Sequence, residues 1–181
     1  MEITPLEAKN LRFQLATWMS KRADEDLLSA MRLTSEEITK VALQGFLAVQ
    51  LGEGKTYSLF DDKYWTVDLA KWKEIISVDF INQKQYIGDK FDCDNFAFYF
   101  SARMAYVYGL TCGLAVRGDR FYLDGTFEVG HLLNAIVTKA TDGFHLYWYE
   151  PQTDELVEHQ RGQEKIKIGN RLFKPTWIIG F

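Results

Sequence analysis

The sequence has few cysteines, prolines and histidines, and each shortage excludes a class of protein. Two cysteines among 181 residues are too few for a disulfide-stapled scaffold, and neither lies in a CxxC or histidine-rich metal spacing. The three prolines form no linker, and internal repeats and low-complexity runs are absent. Because 47% of the residues are hydrophobic, we expect a single domain over residues 1–181 with its own core.

The chain also lacks an excess of basic charge. It carries 21 Lys and Arg against 25 Asp and Glu, a formal net charge of -4, and no run of basic residues with interleaved aromatics. The first residues show no secretory-signal pattern, and no window approaches the length of a membrane span. We therefore expect a soluble, cytoplasmic or phage-associated protein with no nucleic-acid and no membrane partner.

The first half of the chain has helical periodicity. Thr34 and Glu37 have the capping-box spacing, and an apolar stripe follows them. This pattern predicts a helix that begins after Thr34 and ends at Gly52. Three further helices are predicted at Leu6–Met19, Asp24–Met31 and Asp68–Ile76.

The second half changes from helical to strand periodicity. Asp92 is a natural N-cap for a helix that begins near Cys93 and carries an apolar face to Val107. A turn is predicted at Arg117–Arg120, with strands at Leu110–Val116, His131–Thr138, Phe144–Glu150 and Leu172–Phe181. Helices followed by a strand meander predict an α+β fold in which an antiparallel sheet packs on the cysteine-bearing helix.

Cys93 is the strongest functional signal, because a thiol at a helix N-terminus is favoured as a thiolate. Asp92 and Asp94 oppose ionisation, so a nucleophilic role needs a base. His131 is the best candidate, since it opens an apolar strand after Gly130. The backbone N–H of Cys93 and the side chain of Gln85 are candidate donors to a reacting oxyanion.

A third member of the site follows from the predicted hairpin register. If Val137 faces Phe144, then His131 lies opposite Glu150 on the same face, and Glu150 can orient the imidazole. A register shift of two brings Gln152 into that role instead. Asn134 is less suitable because it points to the opposite face of the strand.

The order of Cys93, Gly130-His131 and Glu150 resembles that of papain-like cysteine peptidases. It looks closest to the Cys-His-Glu peptidase domain of mushroom agglutinins. The Asp92–Ala97 run also resembles the cysteine motifs of bacterial cell-wall endopeptidases and of transglutaminase-like proteinases. The resemblance covers roughly Tyr86–Gln152.

This resemblance implies a papain-like catalytic core over residues 55–181, preceded by a helical segment over residues 1–54. It also implies peptide or protein substrates. Activity in the agglutinin peptidases depends on calcium, but the calcium ligands cannot be matched to individual residues of this sequence.

Two classes of function follow from these observations. The first hypothesis is a cysteine hydrolase, a peptidase or amidase that cleaves a peptide or isopeptide bond through Cys93, His131, Glu150 and a thioester intermediate. The alternative is a non-catalytic binding or assembly protein on the same scaffold, or an acyl-transferring transglutaminase-like enzyme.

Overall fold

A computed structural model describes most of the chain, namely residues 14, 15, 19, 21–25, 33–88 and 91–180. The chain divides into two compact units, Met1–Leu33 and Thr34–Phe181. Residues 21–25 of the first unit are helical, and Lys21 and Arg22 form ion pairs with Glu25. The predicted helices Leu6–Met19 and Asp24–Met31 lie largely outside the described residues. Within the described part, no helix is long and apolar enough to cross a membrane.

The second unit contains three α-helices, one short 3-10 helix and nine β-strands among its described residues. The helices are α1 (Lys40–Leu51), α2 (Leu69–Val78) and α3 (Cys93–Tyr108), and the 3-10 turn is Ile81–Gln83. The strands are β1 (Glu36–Thr39), β2 (Thr56–Leu59), β3 (Lys63–Thr66), β4 (Gly113–Phe121), β5 (Phe127–Ala140), β6 (Gly143–Glu150), β7 (Glu155–Glu158), β8 (Ile166–Ile168) and β9 (Arg171–Gly180).

The mixture of helices and sheets confirms the predicted α+β class. The main sheet has the order β2-β9-β4-β5-β6-β7, with β8 also paired to β9, and β1 pairs with β3 in a separate two-stranded sheet. All of these pairings are antiparallel except β2 with β9. The main sheet is therefore mixed, whereas the sequence predicted a purely antiparallel one.

Helix α1 begins later than predicted. Residues 36–39 pair with β3 as a strand, and the side chain of Thr39, not that of Thr34, accepts the capping hydrogen bond from the N–H of Ala42. The sequence pattern at Thr34 has capping-box form, but tertiary pairing takes the first four residues into the small sheet. The helix ends at Gly52 as predicted, where φ is 73°.

Helix α3 begins where the sequence predicts. Asp92 and Asn95 form a capping box in which the Asn95 side chain accepts a hydrogen bond from the N–H of Asp92 at 3.2 Å. Gly109 ends the helix in the left-handed conformation, with φ of 65°. Cys93 is therefore the first residue of a well-terminated helix.

The main sheet carries helices on both faces. Leu43 and Leu47 of α1 belong to one core cluster with Leu133 and Trp148. On the opposite face, Phe100 of α3 packs on Tyr149 with ring centroids 4.6 Å apart. Alternation along β5 and β6 thus sends successive side chains into two different layers.

The predicted turn at Arg117–Arg120 is wrong, because β4 runs through these residues to Phe121. Strands β5 and β9 pair with the two edges of β4 at this point, so the polar residues are held in an extended conformation. The turn comes instead at residues 122–126, where Gly125 has φ of 89°.

Candidate functional site

Cys93 lies at the wall of an open groove of about 410 Å³. The thiol is a free cysteine and only partly buried. The groove is also lined by His131, Arg117 and Trp177, which come from three neighbouring strands. The helix start therefore faces side chains at one end of the sheet.

His131 is held tightly by its surroundings. It lies in β5 opposite Gly118 and is 4% exposed, and its ring makes an edge contact with Phe173 at 6.2 Å between centroids. Its Nε2 atom is 2.6 Å from Oε2 of Glu150, and its ring is also hydrogen-bonded to the Cys93 thiol. The structure thus brings the three predicted residues into one hydrogen-bonded chain.

Glu150 reaches His131 although the hairpin has the alternative register, shifted by two residues, that was expected to bring Gln152 into this role. Val137 faces Leu146 rather than Phe144, because the connecting turn is only Thr141-Asp142. This shift of two residues makes Glu150 a diagonal neighbour of His131 instead of its direct partner. A diagonal neighbour is still within reach of a long side chain.

The electrostatics of the site favour charge separation between Cys93 and His131. The pKa of the Cys93 thiol is lowered from its ordinary value. Burial and the negative charge of Asp92 act to raise it, but hydrogen bonds from the His131 ring and the Leu132 backbone, together with the positive charge of His131, outweigh them. Burial also disfavours the charged form of His131, yet hydrogen bonds to Cys93 and Glu150 and their charges raise the pKa of His131 to about 9. Both shifts favour transfer of the thiol proton to the imidazole, because each charged group stabilises the other.

Of the secondary candidates, only Gln152 contacts one of the three site residues. The backbone N–H of Gln152 donates to Oε1 of Glu150 at 3.3 Å, and Gln152 lines a second cavity behind His131. Gln85 is exposed beyond the 3-10 turn and is not among the residues that line the Cys93 groove. Asn134 faces α3, where its Nδ2 atom donates to the carbonyl of Ala97 at 3.0 Å, as expected from its position on the opposite face.

Cys112 has a structural position. It is fully buried as a free thiol, and burial raises its pKa far above the ordinary value. Among the described residues, no group of three or more His, Cys, Asp and Glu is placed to hold a metal ion.

Sequence reasoning missed Arg117 and Trp177. Leu132, Arg117, Trp177 and Thr56 face one another across four adjacent strands, so they form a continuous row on one face. The register shifts after Arg117, because Gly118 pairs with Pro175 and leaves Thr176 as an extra residue. Bulges of this kind re-aim side chains near binding sites.

Trp177 is both exposed and fixed. It is 37% exposed, and its Nε1 donates to Oγ of Ser58 at 2.9 Å. With Arg117 it lines a further groove that also contains Thr56, Asp119 and Thr176. The strand predicted at Leu172–Phe181 includes Trp177. Only the pairing of β9 with β4 and β2 shows that Trp177 lines the groove that contains Cys93.

Comparisons with known proteins identify a fold and no family. No protein-family model matches the chain, and no curated protein matches it. Among solved structures, a PSL1a-E64 complex is similar with a TM-score of 0.56 and 15% identity, over 79% of this chain and 50% of that one. The Polyporus squamosus lectin bound to the human-type influenza-binding epitope Neu5Aca2-6Galb1-4GlcNAc is similar with a TM-score of 0.52 and 17% identity, over 66% of this chain and 44% of that one.

These findings contradict the predicted papain-like peptidase family. The solved structures that share the fold include a lectin bound to a glycan, and no family model or curated protein supports a peptidase. The predictions of a cysteine hydrolase, of a thiol protease and of enzymatic activity are corrected accordingly. The three residues of the pattern Cys93, His131 and Glu150 were too few to identify a family, because unrelated functions share one fold. The chain spans about half the length of the structures it matches.

Proposed function

We propose that this chain is a non-catalytic binding protein whose ligand is a saccharide. The supporting observation is the exposed, fixed indole of Trp177 beside Arg117, Asp119 and Thr176. A sugar ring has apolar C–H faces and a rim of hydroxyl groups. The indole plane of Trp177 matches the apolar face. The Arg117 guanidinium, the Asp119 carboxylate and the Thr176 hydroxyl match the rim of hydroxyl groups.

The geometry of the row supports a preformed site. The indole is held by Ser58, and Oγ1 of Thr176 donates to the Arg117 carbonyl at 3.1 Å. Side chains that are already fixed lose little conformational entropy when a ligand binds. The glycan complex of the Polyporus squamosus lectin supports a saccharide as the ligand class, although the similarity extends to the fold alone.

The proposal includes a papain-like layout of the scaffold, with the cysteine-bearing helix α3 against β4 and β5. It also keeps Cys93, His131 and Glu150 as the functional residues of the groove that adjoins the saccharide site. Their hydrogen-bonded chain supports a thiol of lowered pKa in the groove that Trp177 and Arg117 also line. The E64 complex of PSL1a supports a ligand site in proteins of this fold.

Titration calorimetry with Neu5Aca2-6Galb1-4GlcNAc and with Galb1-4GlcNAc tests the saccharide proposal. We expect saturable binding of at least one of them, and a loss of about tenfold or more in affinity for Trp177→Ala. Trp65→Ala is the matched control, because Trp65 is also 37% exposed but lies in β3 outside the groove, and its affinity should stay within about twofold. Absence of binding to both sugars, or equal losses in the two variants, would overturn the proposal.

A further inference from the structure

The hairpin that joins β4 and β5 carries an unusual concentration of exposed apolar side chains. Tyr122, Leu123, Phe127 and Val129 are 42%, 55%, 57% and 44% exposed within eight consecutive positions. We define the hairpin-tip surface as residues 121–129 together with Lys165, Lys167 and Arg171. Exposed apolar clusters of this kind mark interaction sites.

The backbone of the tip is fixed by its own hydrogen bonds. The N–H of Tyr122 donates to the Thr126 carbonyl at 2.9 Å, and the N–H of Gly125 donates to the Tyr122 carbonyl at 3.0 Å. The Asp124 side chain accepts from the N–H of Thr126 at 2.9 Å. The tip therefore presents its apolar side chains outward from a defined turn.

A second hairpin, β8 to β9, extends this surface. Phe121 pairs with Phe127 on one side and with Leu172 on the other, and Leu172 pairs with Lys167. Paired residues share a face of the sheet, so these four side chains form one row across four strands. The row is apolar at the tip of β5 and positively charged at β8.

Cations lie directly on the aromatic rings of this surface. Nζ of Lys165 is 4.1 Å from the ring centre of Phe121, and the guanidinium of Arg171 is 4.6 Å from that of Tyr122. The hairpin-tip surface contains three cations, Lys165, Lys167 and Arg171, against two acids, Asp124 and Glu128. Glu128 is also bound by Arg120 of β4, at 3.0 Å, as well as by Arg171 at 2.7 Å, so the surface keeps a small positive excess in a chain of net charge -4.

We propose that the hairpin-tip surface docks on a bilayer that contains anionic lipids. Tyr122, Leu123 and Phe127 would enter the interfacial layer, and Lys165 and Lys167 would contact the lipid headgroups. Aromatic and leucine side chains favour this layer, and basic residues beside them are attracted to negative surface potential. The protein would lie on the membrane without spanning it, contrary to the expectation from the sequence that it has no membrane partner.

Sedimentation of the protein with vesicles tests this proposal. We expect binding to vesicles of phosphatidylcholine with phosphatidylserine, weaker binding to phosphatidylcholine alone, and a decrease with added salt. The double variant Leu123→Ser/Phe127→Ser should lose most of the binding. Lys165→Gln and Lys167→Gln should each weaken it about fivefold, since one basic residue near an anionic surface contributes about 1 kcal/mol.

The matched control is Val41→Ser/Tyr106→Ser, because both side chains are 82% exposed and lie on helices away from the tip. This variant should bind vesicles like the wild type, and circular dichroism should show that all variants are folded. No binding to either vesicle, or equal binding by the tip and control variants, would overturn the proposal. Self-association that only the tip variant loses, measured by analytical ultracentrifugation, would assign the surface to a second copy of the chain and would also overturn it.

Discussion

At the scale of single residues, the most informative group is His131, a buried imidazole between a thiol and a carboxylate. Its Nε2 atom is occupied by Glu150, so Nδ1 is the nitrogen left for Cys93. Glu150 stabilises the charged ring, and the charged ring stabilises the thiolate. The reactivity of Cys93 should therefore depend on a residue in another secondary-structure element.

Alkylation with iodoacetamide measures this dependence. At pH 7 we expect Cys93 to react faster than an ordinary thiol, because its lowered pKa increases the thiolate fraction. His131→Ala should slow the reaction about tenfold, since it removes both the hydrogen bond and the positive charge. Mass spectrometry of the native protein gives the rates.

The control for this measurement is His145→Ala, because His145 is bonded to Asp142 on the β5–β6 hairpin and has no contact with the groove. Cys112 should stay unlabelled in the folded protein, because its side chain is fully buried. An unchanged rate in His131→Ala would show that the thiol is not coupled to the imidazole.

At the scale of secondary-structure elements, the close approach of β4 and β9 shapes the groove. A Cβ atom at Gly118 would lie 2.4 Å from the backbone oxygen of Lys174 and 2.5 Å from the ring of Phe173. Gly118 also pairs with His131, so the strand that carries His131 depends on this approach. The bulge next to Gly118 needs a residue without a side chain.

Gly118→Ala should therefore lower the free energy of unfolding by about 1–3 kcal/mol, because backbone atoms must move to accept the methyl group. Gly45→Ala is the matched control. A Cβ at Gly45 in α1 meets nothing within 4 Å, and alanine in a helix should stabilise by about 0.5–1 kcal/mol. Urea unfolding of the wild type and the two variants provides the values. A free energy of unfolding of Gly118→Ala that is no lower than that of the wild type would contradict the close packing of β4 on β9.

At the scale of the whole molecule, the Cys93–His131 pair links folding stability to pH. The pKa of His131 is raised above its ordinary value of 6.5 to about 9, so its contribution is complete below 6.5 and is lost as the pH rises to about 9. The lowered pKa of Cys93 acts in the opposite direction, since the unfolded thiol keeps its proton up to about pH 8.5. The two contributions oppose each other over this range.

Replacement of the thiol should expose the contribution of His131. In Cys93→Ser the opposing contribution of the thiol to the pH dependence is absent, whereas Glu150 still stabilises the protonated ring of His131. Loss of the thiol also removes part of what raises the pKa of His131. We therefore expect the free energy of unfolding of this variant to fall more steeply just above pH 6.5 than that of the wild type, and to level off below pH 9. Urea unfolding at a series of pH values gives the two slopes. His145 and His159 titrate in both proteins and do not affect the difference, and equal slopes would contradict the ion pair.

Local features of the fold could be predicted because neighbouring residues determine them. Asp92 and Gly109 end α3 through capping and a left-handed turn, which depend on a few adjacent positions. The β1 segment could not be predicted in this way. Its pairing with β3 overrides a capping signal at Thr34, and the partner strand is remote in sequence.

The amino-acid sequence by itself determined the α+β class, the start of α3 at Cys93 and the candidacy of His131 and Glu150, because periodicity, capping and residue chemistry are local properties. Only the tertiary structure decided that Glu150 reaches His131 from a diagonal position. It also decided that Arg117 and Trp177 line the same groove, and that Lys165 and Arg171 lie on the aromatic rings of the hairpin tip. These relationships depend on strand register and on pairing between distant segments, and a shift of two residues in register changes every cross-strand neighbour.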